Sequence, residues 1–198
     1  MKQLIIMALL SATYPAFAQK GYTDQQLLDI YSSLPKVDNQ YEYVEVVQMD
    51  SSYKKDQLYK NAKLFFTDEF KSAKDVIQYD DRGEGKVIGK GNFRAETASS
   101  VMLTPISQRW TIHFTLEIYV KDGKYKYRLY GFEIDEVYTG GGAVTPSQKT
   151  LDQGWEETQK GMTRKMAKDL FGQMVAGFHS TIDDLKKAML KKDTAADF

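Results

Sequence analysis

Cysteine is absent from all 198 residues, and histidine occurs only twice. Without cysteine there can be no disulfide, no thiolate nucleophile and no Cys-ligated zinc, and no cysteine is available to carry a lipid after export. His113 and His179 stand apart, with no HExxH pattern and no second histidine at ligand spacing, so no metal is expected. An excess of one charge is also missing. The 27 basic residues balance the 27 acidic ones, which leaves no footprint for nucleic acid. The apolar run Leu4 to Leu10 is too short to span a bilayer, so the mature chain has no expected transmembrane segment. No Gly-x-Ser-x-Gly elbow occurs. Gly83-x-Gly85 and Gly89-x-Gly91 lead into strands, and a dinucleotide fingerprint would need glycine where Ile88 or Arg94 stands. Turn and bulge chemistry explains these glycines, and no cofactor is implied.

The chain begins with an address. Lys2 supplies a positive start, Leu4 to Leu10 an apolar stretch, and Ala16-Phe17-Ala18 a small-x-small cleavage site. Cleavage between Ala18 and Gln19 would send a mature chain to the periplasm or outside the cell. Hydrophobic residues at 42% and aromatics at 13% are enough for a real core in one main domain.

The organising stretch runs from Arg109 to Tyr138. Trp110, Ile112, Phe114, Leu116, Ile118 and Val120 alternate with polar residues, the period of a strand with one buried face. Asp122-Gly123 reads as a two-residue type I′ turn. That turn sets Val120 opposite Tyr125, Ile118 opposite Tyr127, Leu116 opposite Leu129 and Glu117 opposite Arg128. Apolar meets apolar on one face and opposite charges meet on the other. Farther along, Glu133 would face Ile112 on the apolar side, so a bulge is expected near Gly131; the alternative is that this part is apolar on both faces because something covers the second one.

Elsewhere, residues 19–39 read as a short helix capped at Thr23 and stopped by Pro35, followed by a linker. Tyr41 to Met49 reads as a strand, and Tyr53 to Phe70 as an amphipathic helix capped by Ser51 or Ser52. A second hairpin turns around Arg82 to Gly85. The bare positions Gly89 and Gly91 mark a bulge or the close approach of another segment. Ala98 to Ser107 reads as a small-residue connection, residues 139–154 as a flexible linker, and residues 155–192 as an amphipathic helix. That helix carries Met162, Met166, Leu170, Met174, Phe178, Ile182, Leu185 and Met189 as a stripe, and Gly172 and Gly177 are expected to kink or split it. Residues 193–198 are an expected frayed tail. The expected fold is α+β: an antiparallel sheet of about five strands in β-α-β-β-β-β-α order, over residues 40–138, with helices on one face.

The runs DQLYKNAKLFF, FKSAKDVIQYDDRGEGKVIGKG and RWTIHFTLEIYVKDGKYKYRLYGF resemble a secreted Bacteroidetes domain of unknown function. The resemblance covers roughly Glu42 to Glu136 and rests most on the IQYDD…GKVIGKG segment and on Tyr130-Gly131-Phe132-Glu133. It implies a TATA-box-binding-protein-like (TBP-like) fold and an envelope location, and it implies no activity. The fold name brings no DNA binding with it.

The candidate surface for a ligand or partner is the sheet face away from the helices, built from His113, Tyr119, Lys126, Arg128, Tyr130, Phe132 and Tyr138. The expected role is a non-enzymatic envelope module engaging a protein, peptide or glycan. Two rivals belong to other classes. One is a hydrolase using Asp80, Asp81 or Glu133; the other is an assembly protein that self-associates through the Met162 to Met189 helix.

Overall fold

The computed structural model describes residues 22–70 and 76–192. The expected export signal, its cleavage site at Ala18 and Gln19, and the tail after Lys192 lie outside the described residues. In chain order the elements are α1 (Asp24–Ser33), β1 (Lys36–Val37), β2 (Gln40–Gln48), α2 (Lys55–Phe70), β3 (Ile77–Asp81), β4 (Lys86–Val101), β5 (Thr104–Lys121), β6 (Lys124–Gly140), β7 (Ala143–Lys149), α3 (Leu151–Gln159) and α4 (Arg164–Met189). The antiparallel sheet runs β1-β2-β6-β5-β4-β3, with β7 also on β6. It has seven strands, more than the five expected. The turn-side half of β6 pairs with β2, and its far half pairs with β7.

The central hairpin adopts the register set by its side chains. Val120 pairs with Tyr125, Ile118 with Tyr127, Leu116 with Leu129, and Glu117 with Arg128. The register slips between His113 and Thr115, where Gly131 takes φ +67, so the expected bulge is present. Its effect is to bring Ile134 opposite Ile112, both fully buried. The turn differs from expectation. Gly123 has a positive φ and Asp122 does not, so it is not type I′. Asp122 instead turns its carboxylate to the start of α2, where Oδ1 accepts from the Lys55 N–H at 2.7 Å. This contact, and not Ser51 or Ser52, holds the first helical amide.

The helices cover one face. Leu58, Ala62, Phe65 and Phe66 of α2 and Leu170, Met174, Phe178, Leu185 and Met189 of α4 share one core with the inward side chains of β4, β5 and β6. Gly89 and Gly91 let helix aromatics approach the sheet: a Cβ on Gly91 would lie 2.6 Å from the rings of Phe114 and Phe70, and one on Gly89 would run into Phe66.

Three stretches that read as connections are structured. Beyond Pro35, Asp38 and Asn39 (φ 48 and 65) turn β1 back onto β2. Met102 and Leu103 (φ 47 and 68) turn β4 into β5 where a small-residue link was expected. Gly141 and Gly142 (φ 58 and 83) form a tight turn into β7, not a linker. The long C-terminal pattern does break, but at Gly161 (φ 95) and not at Gly172 or Gly177, through which α4 runs unbroken. Those two glycines seat the rings of Tyr22 and Phe93. Met162 falls in the break and is 90% exposed, so it is not part of the stripe.

Candidate functional site

Among the described residues no helix covers the face of the sheet away from α2 and α4, and strand register places its side chains in rows. One row runs Lys86, Tyr119, Lys126, Val46; the next runs Ile88, Glu117, Arg128, Val44; a third runs Lys90, Thr115, Tyr130, Glu42. Across them stretches an ion ladder. Arg128 Nε donates to Glu42 at 2.5 Å, and its second terminal nitrogen donates to the other Glu42 oxygen at 2.9 Å. Arg128 also lies 3.5 Å from Glu117, and Lys86 lies 3.2 Å from the other Glu117 oxygen. Glu117 is only 5% exposed although it stands on the open face, because Arg128, Lys86 and Tyr130 close over it. The Arg128 hydrogen bond, and then its charge, hold Glu42 below the usual carboxylate range against the opposing effect of burial. Rings flank the cations: Lys86 sits over Tyr119 at 4.6 Å and Arg128 over Tyr130 at 4.8 Å.

At the turn end of this face lies a hollow of about 480 Å3, lined by Val46, Glu117, Tyr119, Lys121, Lys124, Tyr125, Lys126 and Arg128. Lys121, Lys124 and Lys126 are exposed and form no ion pair among the described residues. With every carboxylate of the ladder already paired to a cation, the hollow presents net positive charge. Such a site can attract and orient an anion. The Glu42 carboxylate is held ionised by Arg128, which suits structure and recognition better than proton transfer.

Of the expected site residues, Tyr119, Lys126, Arg128 and Tyr130 come together here. His113 is on the same face farther along, its Nε2 2.9 Å from Asp135. Gln148 and then His113 hold the Asp135 carboxyl below its usual range. Phe132 and Tyr138 are not on this face. The extra residue at Gly131 reverses the alternation, so Phe132 packs against Phe178, ring centres 4.4 Å apart, on the helix side. Tyr138 pairs with Gln108 and lines a cleft of about 730 Å3 beneath α3. In that cleft Glu136 accepts from Gln108, from Trp110 Nε1 at 3.0 Å and from Ser147 at 2.8 Å, and it pairs with Lys149 at 2.6 Å. Burial pushes the Glu136 carboxyl up, but the four donors more than reverse this and leave it below its usual range. Asp80 is bound to Tyr59 and Lys63, Asp81 accepts the Glu84 amide of its own turn, and Glu133 sits three strands away on β6, so these three carboxylates are not gathered. Among the described residues no cluster of histidine, aspartate or glutamate could hold a metal ion, and no helix is long and apolar enough to cross a membrane.

Glu42, Lys86, Lys121, Lys124 and the exposed Val44 and Val46 complete the face, and sequence reasoning passed over them. The period-two pattern of β2 carried a signal for Val44 and Val46, but its pairing partner was not evident without the fold.

A family model described as "Domain of unknown function (DUF4468) with TBP-like fold" matches residues 43–135. Over that span the chain is similar to the DUF4468 family. The fold agrees: a crystal structure of a DUF4468 family protein from Bacteroides ovatus superposes with a TM-score of 0.54 at 16% identity, covering 81% of this chain and 92% of that one. A TBP-like protein from Parabacteroides distasonis gives 0.51 at 8% identity, covering 77% and 97%. No curated protein matches the chain. The hollow and the ladder fall within the matched span, except for Glu42, which lies one residue before it.

Proposed function

We propose that this protein is an exported, non-enzymatic binding module that engages a partner of the bacterial envelope through the open face of its sheet. The observation that carries the reading is that face: it is uncovered by the described helices, walled by Tyr119 and Tyr130, and rimmed by three lysines that form no ion pair among the described residues. Aromatic rings beside arginine and lysine are the composition of recognition surfaces. The Lys2 to Ala18 segment supports export. The two rivals gain little. Asp80, Asp81 and Glu133 stand apart, and the apolar stripe of α4 is used within its own core.

Two measurements test the reading. Expressed with its leader in a bacterial host, the protein should be recovered from the periplasmic or extracellular fraction with an intact mass beginning at Gln19. The Tyr119→Ala/Tyr130→Ala double variant, folded by circular dichroism, should lose retention of envelope components that the parent retains. Retention unchanged in the folded double variant would sink the open-face version.

A further inference from the structure

We propose that the free edge of β2, with the lysine-rimmed hollow beside it, takes an extended peptide segment of alternating acidic and apolar residues as an additional strand. This rests on reading the open face as the binding surface and adds the partner's chemistry. Two-residue turns fix which backbone groups point where. At Asp122-Gly123, Lys121 and Lys124 face each other, so Lys124, Lys126 and Arg128 aim their amides at β5, while Tyr125, Tyr127 and Leu129 aim theirs at β2. Their partners Val47, Glu45 and Tyr43 answer them, which leaves Val44 and Val46 with N–H and C=O directed away from β6. The Asp38-Asn39 turn gives the same parity independently: the Glu42 N–H points outward and donates to the Pro35 carbonyl at 3.0 Å. Beyond that bond, no partner meets the outward groups of Val44 and Val46 among the described residues. Their side chains are 41% and 52% exposed.

The other edges are guarded. Past the end of β3, the outward groups of Glu96 on β4 are both taken by Gln173, whose amide accepts at 3.1 Å and donates at 3.0 Å. On β7 the outward position at its centre is Pro146, which has no N–H to offer. β3 is five residues long. An exposed edge with paired valines and no such device is a template for strand addition.

Charge selects the occupant. Open-face side chains of an added strand would flank Val44 and Val46, two strand spacings or about 9.6 Å from the rows of Arg128 and Lys126. Carboxylates there would meet Lys124 and Lys126 over Val46. On the other face the neighbours are Tyr43, Glu45 and Val47, all half-buried; Glu45 is already held by Lys186 and Tyr127, so the two apolar neighbours favour apolar partners. A second copy paired edge to edge would bring its own Lys124 and Lys126 to the same seam, so the field disfavours it.

The probe is a blocked Val-Glu-Val-Glu-Val-Glu-Val peptide carrying a fluorophore, titrated with the mature protein. Binding should be weakened by salt. It should fall about tenfold or more for a probe N-methylated at alternate amides, since lost strand hydrogen bonds cost on the order of a decade in affinity. A Val-Lys counterpart should not bind. Val46→Pro, which removes an outward N–H and leaves the β6 ladder intact, and Lys124→Glu/Lys126→Glu should each weaken binding comparably. If Val46→Pro does not fold, the N-methylated probe decides. No binding, or binding indifferent to N-methylation, overturns strand addition, and so does a concentration-dependent dimer that Val46→Pro abolishes. Should the peptide fail while the double tyrosine variant still loses its envelope partner, the open-face reading stands and only this inference falls.

Discussion

At Gly89 there is no room for a side chain, because the ring of Phe66, itself fully buried, fills the space a Cβ would take. Gly89→Val should therefore destabilise by about 1–3 kcal/mol through overpacking, read as a lower urea midpoint with unchanged slope. Gly142 sits in the β6–β7 turn with nothing within 4 Å of a built Cβ, and Gly142→Ala should cost only the strain of its φ of 83. Asn61 is a buried amide of another kind. Its Nδ2 donates to the Met189 and Lys191 carbonyls at 3.1 and 2.8 Å, satisfying the end of α4. Asn61→Ala would take this donor from the Met189 carbonyl and leave the Lys191 carbonyl only the longer bond from Gln57 at 3.4 Å, an expected loss of about 1–3 kcal/mol by chemical denaturation. Single residues were legible where they obey a period or break one: the Glu117–Arg128 pair and the bulge at Gly131 both follow from alternation. Phe132 and Tyr138 were misplaced for the same reason, since one inserted residue reverses every side chain after it.

At the scale of elements, the fold is knitted at the Asp122-Gly123 turn. Gly123 N–H donates to the Tyr53 carbonyl and its own carbonyl accepts from Met49, each at 2.9 Å, while Asp122 holds the first amide of α2. Asp122→Ala should thus loosen a helix that is remote in sequence, costing about 0.5–2 kcal/mol as a lost cap. Amide exchange should quicken in the first turn of α2; protection unchanged there would refute the linkage. This contact was not legible, because a cap normally precedes its helix and this one comes from a later turn. The strand β7 escaped notice because Ala143 to Lys149 is polar and holds a proline, with outward groups at solvent and only β6 to define it. By contrast α2, α4 and the β3–β4 hairpin announced themselves, since each must turn a continuous apolar face to one core.

For the whole molecule, the distribution of ionised groups makes folding sensitive to acid. Glu42, Glu45, Asp135, Glu136 and Asp152 all have carboxyls below their usual range. The Arg128 hydrogen bond is the main cause for Glu42 and the Tyr41 hydroxyl for Asp152. Burial raises Glu45, but Lys186 and Tyr127 more than offset it. A carboxylate lowered in the folded state is protonated first in the unfolded chain, so its stabilisation is complete above the unfolded value and is lost as pH falls through the folded one. The loss should begin below pH about 4.3. His179, lowered by burial, adds a gentler decline starting near pH about 6.5, where the unfolded chain takes a proton that the folded chain resists. Glu69, raised by burial and by Asp184, pulls the other way, one group against several. The denaturant midpoint should therefore fall slightly from pH 7 to 5 and steeply below that. In Glu136→Gln, which removes one of the lowered groups, the steep part should be shallower although the neutral-pH midpoint is already reduced, because Lys149 then lacks one of its two carboxylates. A midpoint that rises on acidification would show that these ion networks do not govern the stability of the fold.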